Sequence, residues 1–324
     1  MRVMVAGAGG FIGGWLARRL IDEGFEVLCA DQKPLEEWLQ IHDMSENYVA
    51  DLSQLEVCQQ LLVGVDQVFN LAADMGGMGF IESHKAECML SVLINTHLLL
   101  AARQQNVKKF FFASSACVYN ASKQDSNTVD GLKEEDAYPA MPEDGYGWEK
   151  LFSERMCRHF YEDYGLETRV ARYHNVYGPK GTWEGGREKA PAALSRKVAT
   201  AKFTGEHQIE IWGDGEQARS FTYIDDCIEG TIRLMNSDIR EPLNIGSDQM
   251  VTINQLVDML EEIAQVKLRR SYKLDAPKGV RGRNSDNNRI AKLLKWSPSI
   301  GLKDGLSQTF DWVEKQVCNN LAVS

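Results

Sequence analysis

Short aliphatic and aromatic runs alternate along the chain with stretches whose apolar positions recur at helical spacing. Arg2–Ala6 is such a run, and Trp15–Ile21 repeats with the period of a helix. Glu26–Ala30, Tyr48–Leu52 and Gln67–Leu71 read as further strands, with a helix over 53–63 before the last of them. Met89, Leu90, Leu93, Ile94, Leu98 and Ala101 form an apolar stripe that predicts a helix over 84–105, wide enough for both core and partner. The run Lys108–Tyr119 reads as a buried strand whose tip carries Ser114, Ser115 and Cys117. A helix over 146–164, a strand Thr168–Arg172, a helix Phe221–Met235, a strand Leu243–Ile245 and a helix over 252–264 follow.

Strand and helix in alternation predict an α/β fold, a Rossmann-type doubly wound parallel sheet. Beyond Arg172 the pattern loosens, and the segment Gly181–Pro191 is too glycine-rich for a helix. We expect residues 1–173, with returning segments 222–246, to form the sheet domain. Residues 174–221 and 247–324 are expected to form a smaller C-terminal substrate-binding lobe across one cleft.

Composition narrows the class. The 324 residues carry a formal charge of -10 with no block of like charges, which argues against nucleic-acid or anionic-membrane partners. Seven cysteines without CxxC spacing suit reduced cytoplasmic thiols, not a disulfide framework or a metal site. The apolar start at Val3–Ala17 holds five glycines and no cleavage site, so we expect no export signal, and nothing long enough to span a bilayer.

Between the first strand and helix lies Gly7-Ala8-Gly9-Gly10-Phe11-Ile12-Gly13. Gly7, Gly10 and Gly13 permit a tight turn, close approach of a pyrophosphate, and packing of helix on strand, while the helix N-terminus faces the phosphates. Asp31 ends the second strand, where an acid accepts from both ribose hydroxyls of an adenosine and favours NAD over NADP. Asp51 is either an adenine contact or a helix N-cap. The loop Met75–Gly79 is placed over such a cofactor.

Ligands of open α/β sheets sit at the carboxyl ends of strands, so Ser115 and Cys117, two apart on one strand face, address one volume. Tyr146 and Lys150 are four apart, about 6 Å along one helical face, and an ammonium there lowers the tyrosine pKa toward working pH. A thiol of pKa near 8.5 is about 3% ionised at neutral pH, a penalty of about 2 kcal/mol unless neighbours lower it. On chemistry alone Cys117 is more often a small core residue and Lys189 more often a solvated one.

The glycine turn, the serine-tipped strand and the YxxxK helix resemble the extended short-chain dehydrogenase/reductase superfamily from Arg2 to about Gln316. More specifically, Asn70–Ile81, Ser114–Tyr119, Gly181–Ala193, Trp212–Asp225, Arg240–Asp248 and Gly279–Asn288 resemble the GDP-mannose 3,5-epimerase family. The resemblance implies an NAD-dependent isomerase that oxidises a sugar at C4, inverts C5 and C3, and re-reduces, giving GDP-L-galactose and a product inverted at C5 alone. Ser115, Tyr146 and Lys150 would be its catalytic triad, with Cys117 and Lys189 as the acid/base pair. Phe11, Ile12, Leu52 and Ala72 join the glycines, Asp31, Asp51, Tyr146 and Lys150 as implied cofactor contacts. Implied substrate contacts are Gly76, Ser115, Ala116, Cys117, Asn175, Glu188, Lys189, Ala190, Lys197, Gln217, Ala218, Arg219 and Arg283, with the two arginines suited to a diphosphate. A homodimer through the 84–105 helix is expected. Asn120, Gly145 and Trp148 depart from the family pattern. The alternatives are a 4-epimerase, a 4,6-dehydratase or a non-catalytic NAD-binding sensor; against a dehydratase, Ala116 and Cys117 stand where an acid would.

Overall fold

The computed structural model describes residues 1–277 and 279–323. Lys278 and Ser324, inside the range expected for the lobe, lie outside the described residues. Seven strands form one parallel sheet in the order Leu243–Ile245, Glu167–Tyr173, Lys109–Ser115, Gln67–Asn70, Arg2–Ala6, Glu26–Asp31, Ser45–Val49. The chain starts at Arg2–Ala6, runs outward to one edge, then returns to build the other side from Gln67–Asn70. The gap between those two directions of winding is where an open sheet binds ligands.

Strand alternation divides the core. Val3, Val5, Val27, Cys29, Phe69, Phe111 and Tyr173 point to one layer, packing on Leu16 and Leu20 of the Phe11–Asp22 helix and on the Ile224–Asn236 helix. Met4, Leu28, Val68, Phe110, Phe112 and Val170 point to the other, against Leu98 and Leu99 of the Lys85–Gln104 helix and Cys157 and Phe160 of the Tyr146–Tyr164 helix. A sheet covered on both faces needs apolar residues at every position, which is why these strands read as continuous runs.

Three expected boundaries differ. The third strand is Ser45–Val49 instead of Tyr48–Leu52, since an edge strand tolerates Ser45, Glu46 and Asn47 and leaves Tyr48 and Val49 exposed. The 84–105 helix is preceded by a separate short helix, Met78–Ser83, with the break at His84 stacked 4.3 Å from Phe80. The helix expected from Phe221 starts at Ile224, because Thr222–Tyr223 pair with Val176–Tyr177 as a two-stranded ribbon. Against the expectation that nothing reaches bilayer length, Lys85–Gln104 is 20 residues long and holds an 18-residue stretch of mean hydropathy 1.2. It packs on the sheet layer with Ser91 and Asn95 buried, as a core helix does.

Beyond the sheet, helices Ala190–Thr204, Ile253–Ala264 and Leu302–Val323 pack together beside the ribbons Gln208–Trp212 with Arg269–Lys273 and Met250–Thr252, Ala218–Ser220, Gly282–Arg283. Thr252 and Gln255 form a reciprocal cap on the second helix, at 3.1 and 2.9 Å. Strand Leu243–Ile245 leaves this group to pair with Ala171–Tyr173 at the sheet's edge.

Candidate active site

The carboxyl ends of the central strands open into a cleft of about 640 Å³. Gly7, Gly10, Phe11, Ile12, Gly13, Asp31, Asp51, Leu52 and Ala72 line one end of it. A Cβ on Gly7, whose φ is +82°, would stand 2.8 Å from the Ala72 nitrogen, and one on Gly13 would stand 2.1 Å from the Gly7 carbonyl oxygen. The Phe11–Asp22 helix has no side-chain cap at Gly10, so its first N–H groups face the cleft unclaimed by a side chain. A tight turn, an uncapped helix start and Asp31 across from it fit a dinucleotide. The Asp51 carboxylate accepts from the Ser53 nitrogen at 2.9 Å, while the N-cap of the following helix is Gln54.

Ser115, Tyr146, Lys150, Lys189 and Gly76 line the same cleft. The strand ends at Ser115, and Ala116–Val118 form a 3₁₀ turn capped by the Ser115 hydroxyl, which accepts from the Cys117 nitrogen at 3.2 Å. Cys117 is therefore aimed by a turn, and the expected strand alternation between it and Ser115 does not apply. Its side chain joins Phe80, Cys88 and Tyr146 in a small buried cluster.

The Tyr146 pKa also departs from expectation. Burial pushes it well above the ordinary tyrosine value, helped by Cys117 and Glu149, with only a hydrogen bond to Ser115 acting the other way. Lys150 lies 5.5 Å from the Tyr146 ring centre, and its ammonium is 3.5 Å from the buried Glu149 carboxylate and over the Phe112 ring. The neighbouring carboxylate explains why Lys150 does not draw the phenol down.

Lys189 precedes the Ala190–Thr204 helix. Burial lowers its pKa from the ordinary lysine value, and Cys117 and Cys227 oppose the shift. Arg219 is drawn down to about 10 by burial, opposed by Cys117. It donates to the carbonyls of Ala218 and Val280. Arg283 donates to the Cys117 sulfur at 3.5 Å.

The other expected substrate residues spread around this centre. Ala116 is buried in the turn. Asn175 holds a positive φ of 41° and donates to the Ser220 carbonyl at 2.9 Å. Gln217 donates to the Trp212 carbonyl at 2.8 Å and Ala218 lies in the adjoining strand. Glu188 pairs with Arg196 at 2.8 Å, and Lys197, lowered by burial, donates to the Glu210 carbonyl at 2.7 Å. Ala190 opens the helix that carries Lys197, and Glu188 stands just before it.

Sequence reasoning missed the clasp between two loops. Arg187 pairs with Asp74 at 2.6 Å and covers the Phe80 ring at 3.8 Å, while its carbonyl accepts from the Gly77 nitrogen at 3.0 Å. Gln124, Glu143 and Glu149 were missed as well. Both glycine-rich loops were visible, but no periodicity signals which loop residues meet.

This arrangement can pass a proton between a sugar hydroxyl and Tyr146, hold the emerging carbonyl at Ser115, and offer a thiol and an amine to a neighbouring carbon acid. Residues 3–246 match the NAD dependent epimerase/dehydratase family, and the chain belongs to it. Within that class it is 48% identical over 318 residues to the GDP-mannose 3,5-epimerase of Arabidopsis thaliana, covering 98% of this chain and 83% of that protein. Among solved structures, a UDP-glucose 4-epimerase of Thermotoga maritima with UDP-glucose superposes with TM-score 0.87 at 26% identity, covering 98% of this chain and all of the other. MoeE5, solved with UDP-glucose and NAD, gives 0.80 at 29% identity, with 98% of this chain and all of the other covered.

Proposed function

We propose that this chain is a redox-neutral epimerase of GDP-mannose, inverting C5 and C3 to form GDP-L-galactose, together with the product inverted at C5 alone. The observation that carries the reading is one cleft lined by Ser115, Tyr146, Lys150 and Lys189, with Cys117 on the turn next to Ser115 and packed against Tyr146. The 48% identity to GDP-mannose 3,5-epimerase supports the choice of sugar nucleotide. NAD, when bound, supplies reversible removal of hydride from C4. Gly7, Gly10, Gly13 and the helix start behind them would hold its pyrophosphate, and Asp31 its ribose.

Tyr146 takes the proton of the C4 hydroxyl. Its raised pKa makes the phenol a strong base once ionised, and the Ser115 hydroxyl stabilises the oxygen as it becomes a carbonyl. Hydrogens on the carbons beside that carbonyl become acidic. Cys117 and Lys189 remove and return them, one as base and one as acid, and a protonated Lys189 also stabilises the enediolate. The Arg187–Asp74 clasp fixes the Gly76 loop over the cleft and limits water access.

Incubation with GDP-mannose in heavy water tests this. Deuterium at both C3 and C5 is expected, with no net NADH, and Cys117→Ser should stop exchange while sparing NAD binding. Loss of water with a lasting 4-keto product, or no exchange at all, would overturn it.

We further propose that the protein is a homodimer. Met89, Leu90 and Leu93 on the Lys85–Gln104 helix and Trp148 and Phe152 on the Tyr146–Tyr164 helix are exposed on neighbouring helices. A second copy applying the same two helices would cover them. Free cysteines, including six buried ones, support a cytoplasmic setting.

A further inference from the structure

Arg283 is 4% exposed, and two of its guanidinium nitrogens donate within the protein. Nε donates to the Gln124 side-chain oxygen at 2.7 Å, Nη1 to the Cys117 sulfur at 3.5 Å, and Nη2 pairs with Glu143. A guanidinium held in this way is fixed in position. It presents a fixed positive charge to a thiol.

Gln124 is the residue that fixes it. It is fully buried, its amide nitrogen donates to the carbonyls of Tyr119 and Asn120 at 3.4 Å each, and so its oxygen is turned toward Arg283. Its main-chain carbonyl accepts from the nitrogens of Arg281 and Gly282, both at 3.0 Å. One residue therefore binds the Gly282–Arg283 strand by backbone and aims its guanidinium by side chain. Glu143 stands on the opposite side and is itself tied to the thiol's residue, its nitrogen donating to the Cys117 carbonyl at 3.1 Å.

We propose that Arg283 stabilises the Cys117 thiolate, that Gln124 is the positioning residue that aims Arg283 at the sulfur, and that Glu143 moderates the effect. This rests on the reading of Cys117 as a proton-transfer group. The thiol is buried, and burial alone disfavours ionisation. The charged and titratable groups around it are Arg283 and Arg219 from two lobe strands, Lys189 from the loop before its helix, Tyr146, Glu143 and Cys88. Of these, Arg283 donates directly to the sulfur.

The test is the pH dependence of iodoacetamide alkylation of Cys117, followed by mass spectrometry of its peptide, in the NAD-bound protein without sugar nucleotide. Arg283→Gln should raise the midpoint by about one unit and slow alkylation at neutral pH about tenfold. Gln124→Leu should move it the same way by less, and Gln124→Glu, which keeps the shape and adds an opposing charge, serves if the leucine variant fails to fold. Glu143→Gln should move it downward and speed alkylation. A merely structural role for Gln124 would change accessibility without moving the midpoint, and an unmoved midpoint in Arg283→Gln, or all variants shifting in one direction, would overturn the proposal. The outcome is independent of the heavy-water exchange test, so a protein that exchanges deuterium normally with an unshifted thiol loses this inference and keeps the epimerase.

Discussion

Replacing Glu154 by glutamine probes the ion pair that anchors the catalytic strand. Arg172 lies beside Ser114 on the neighbouring strand, and its guanidinium meets the Glu154 carboxylate in two bonds, at 2.9 and 2.7 Å. Both side chains are nearly inaccessible, at 2% and 3% exposure. The same carboxylate accepts from the Ser114 hydroxyl at 2.5 Å, so it fixes the residue next to Ser115. Burial pushes the Arg172 pKa down, but the charge and hydrogen bonds of Glu154 outweigh it and hold the value above the ordinary one. Glu154→Gln preserves volume while leaving a buried cation without its counter-charge. Breaking such a pair costs about 3–5 kcal/mol. For a chain of this size that lowers the melting temperature by roughly 5–10 °C. Calorimetry of wild type and variant, both loaded with NAD, measures it. The double variant Arg172→Met, Glu154→Leu should recover much of the loss, because it removes the uncompensated charge altogether. A single variant that melts with the wild type, or a double variant worse than both singles, would refute the argument.

Three other outcomes are expected. Burial holds His174 down to about 4, against its hydrogen bond to Asn244, so the native state stays neutral while the unfolded chain takes up a proton. The stability it confers is complete above about pH 6.5 and is lost as pH falls toward about 4, a total near 3 kcal/mol; urea titrations at stepped pH should show this slope vanish in His174→Gln. Gly13→Ala would put a methyl 2.1 Å from the Gly7 oxygen and displace the turn, lowering stability by about 1–3 kcal/mol and releasing NAD on gel filtration. Leu90→Glu should convert a dimer to monomers in sedimentation velocity without changing the far-ultraviolet circular dichroism spectrum.

The sheet was legible because buried parallel strands have no solvent face: Val3–Val5 and Phe110–Phe112 read as continuous apolar runs, and glycines fall where the first turn has no space for a Cβ. The edge strand was misplaced by the same logic, since Ser45–Asn47 carry no apolar signal and the exposed Tyr48 and Val49 do. Tyr146 and Lys150 were found from spacing, but their electrostatics were not, because Glu149 lies beside Lys150 in sequence without any sign that both would be buried. Gln124 and Glu143 were invisible for another reason. They act through loops that meet Arg283 only after two distant segments of chain have closed on each other, and no local pattern encodes that meeting.

The Leu243–Ile245 strand completes the sheet only after the polypeptide has travelled out through Ala190–Thr204 and back. No single scission can therefore separate the sheet from the helices and ribbons beyond it. A recombinant fragment ending before Leu243 would expose the flank of Glu167–Tyr173 to any strand with a free edge, and grafting foreign segments in place of those beyond the sheet calls for three crossover points, one after Tyr173 and one on either side of that return.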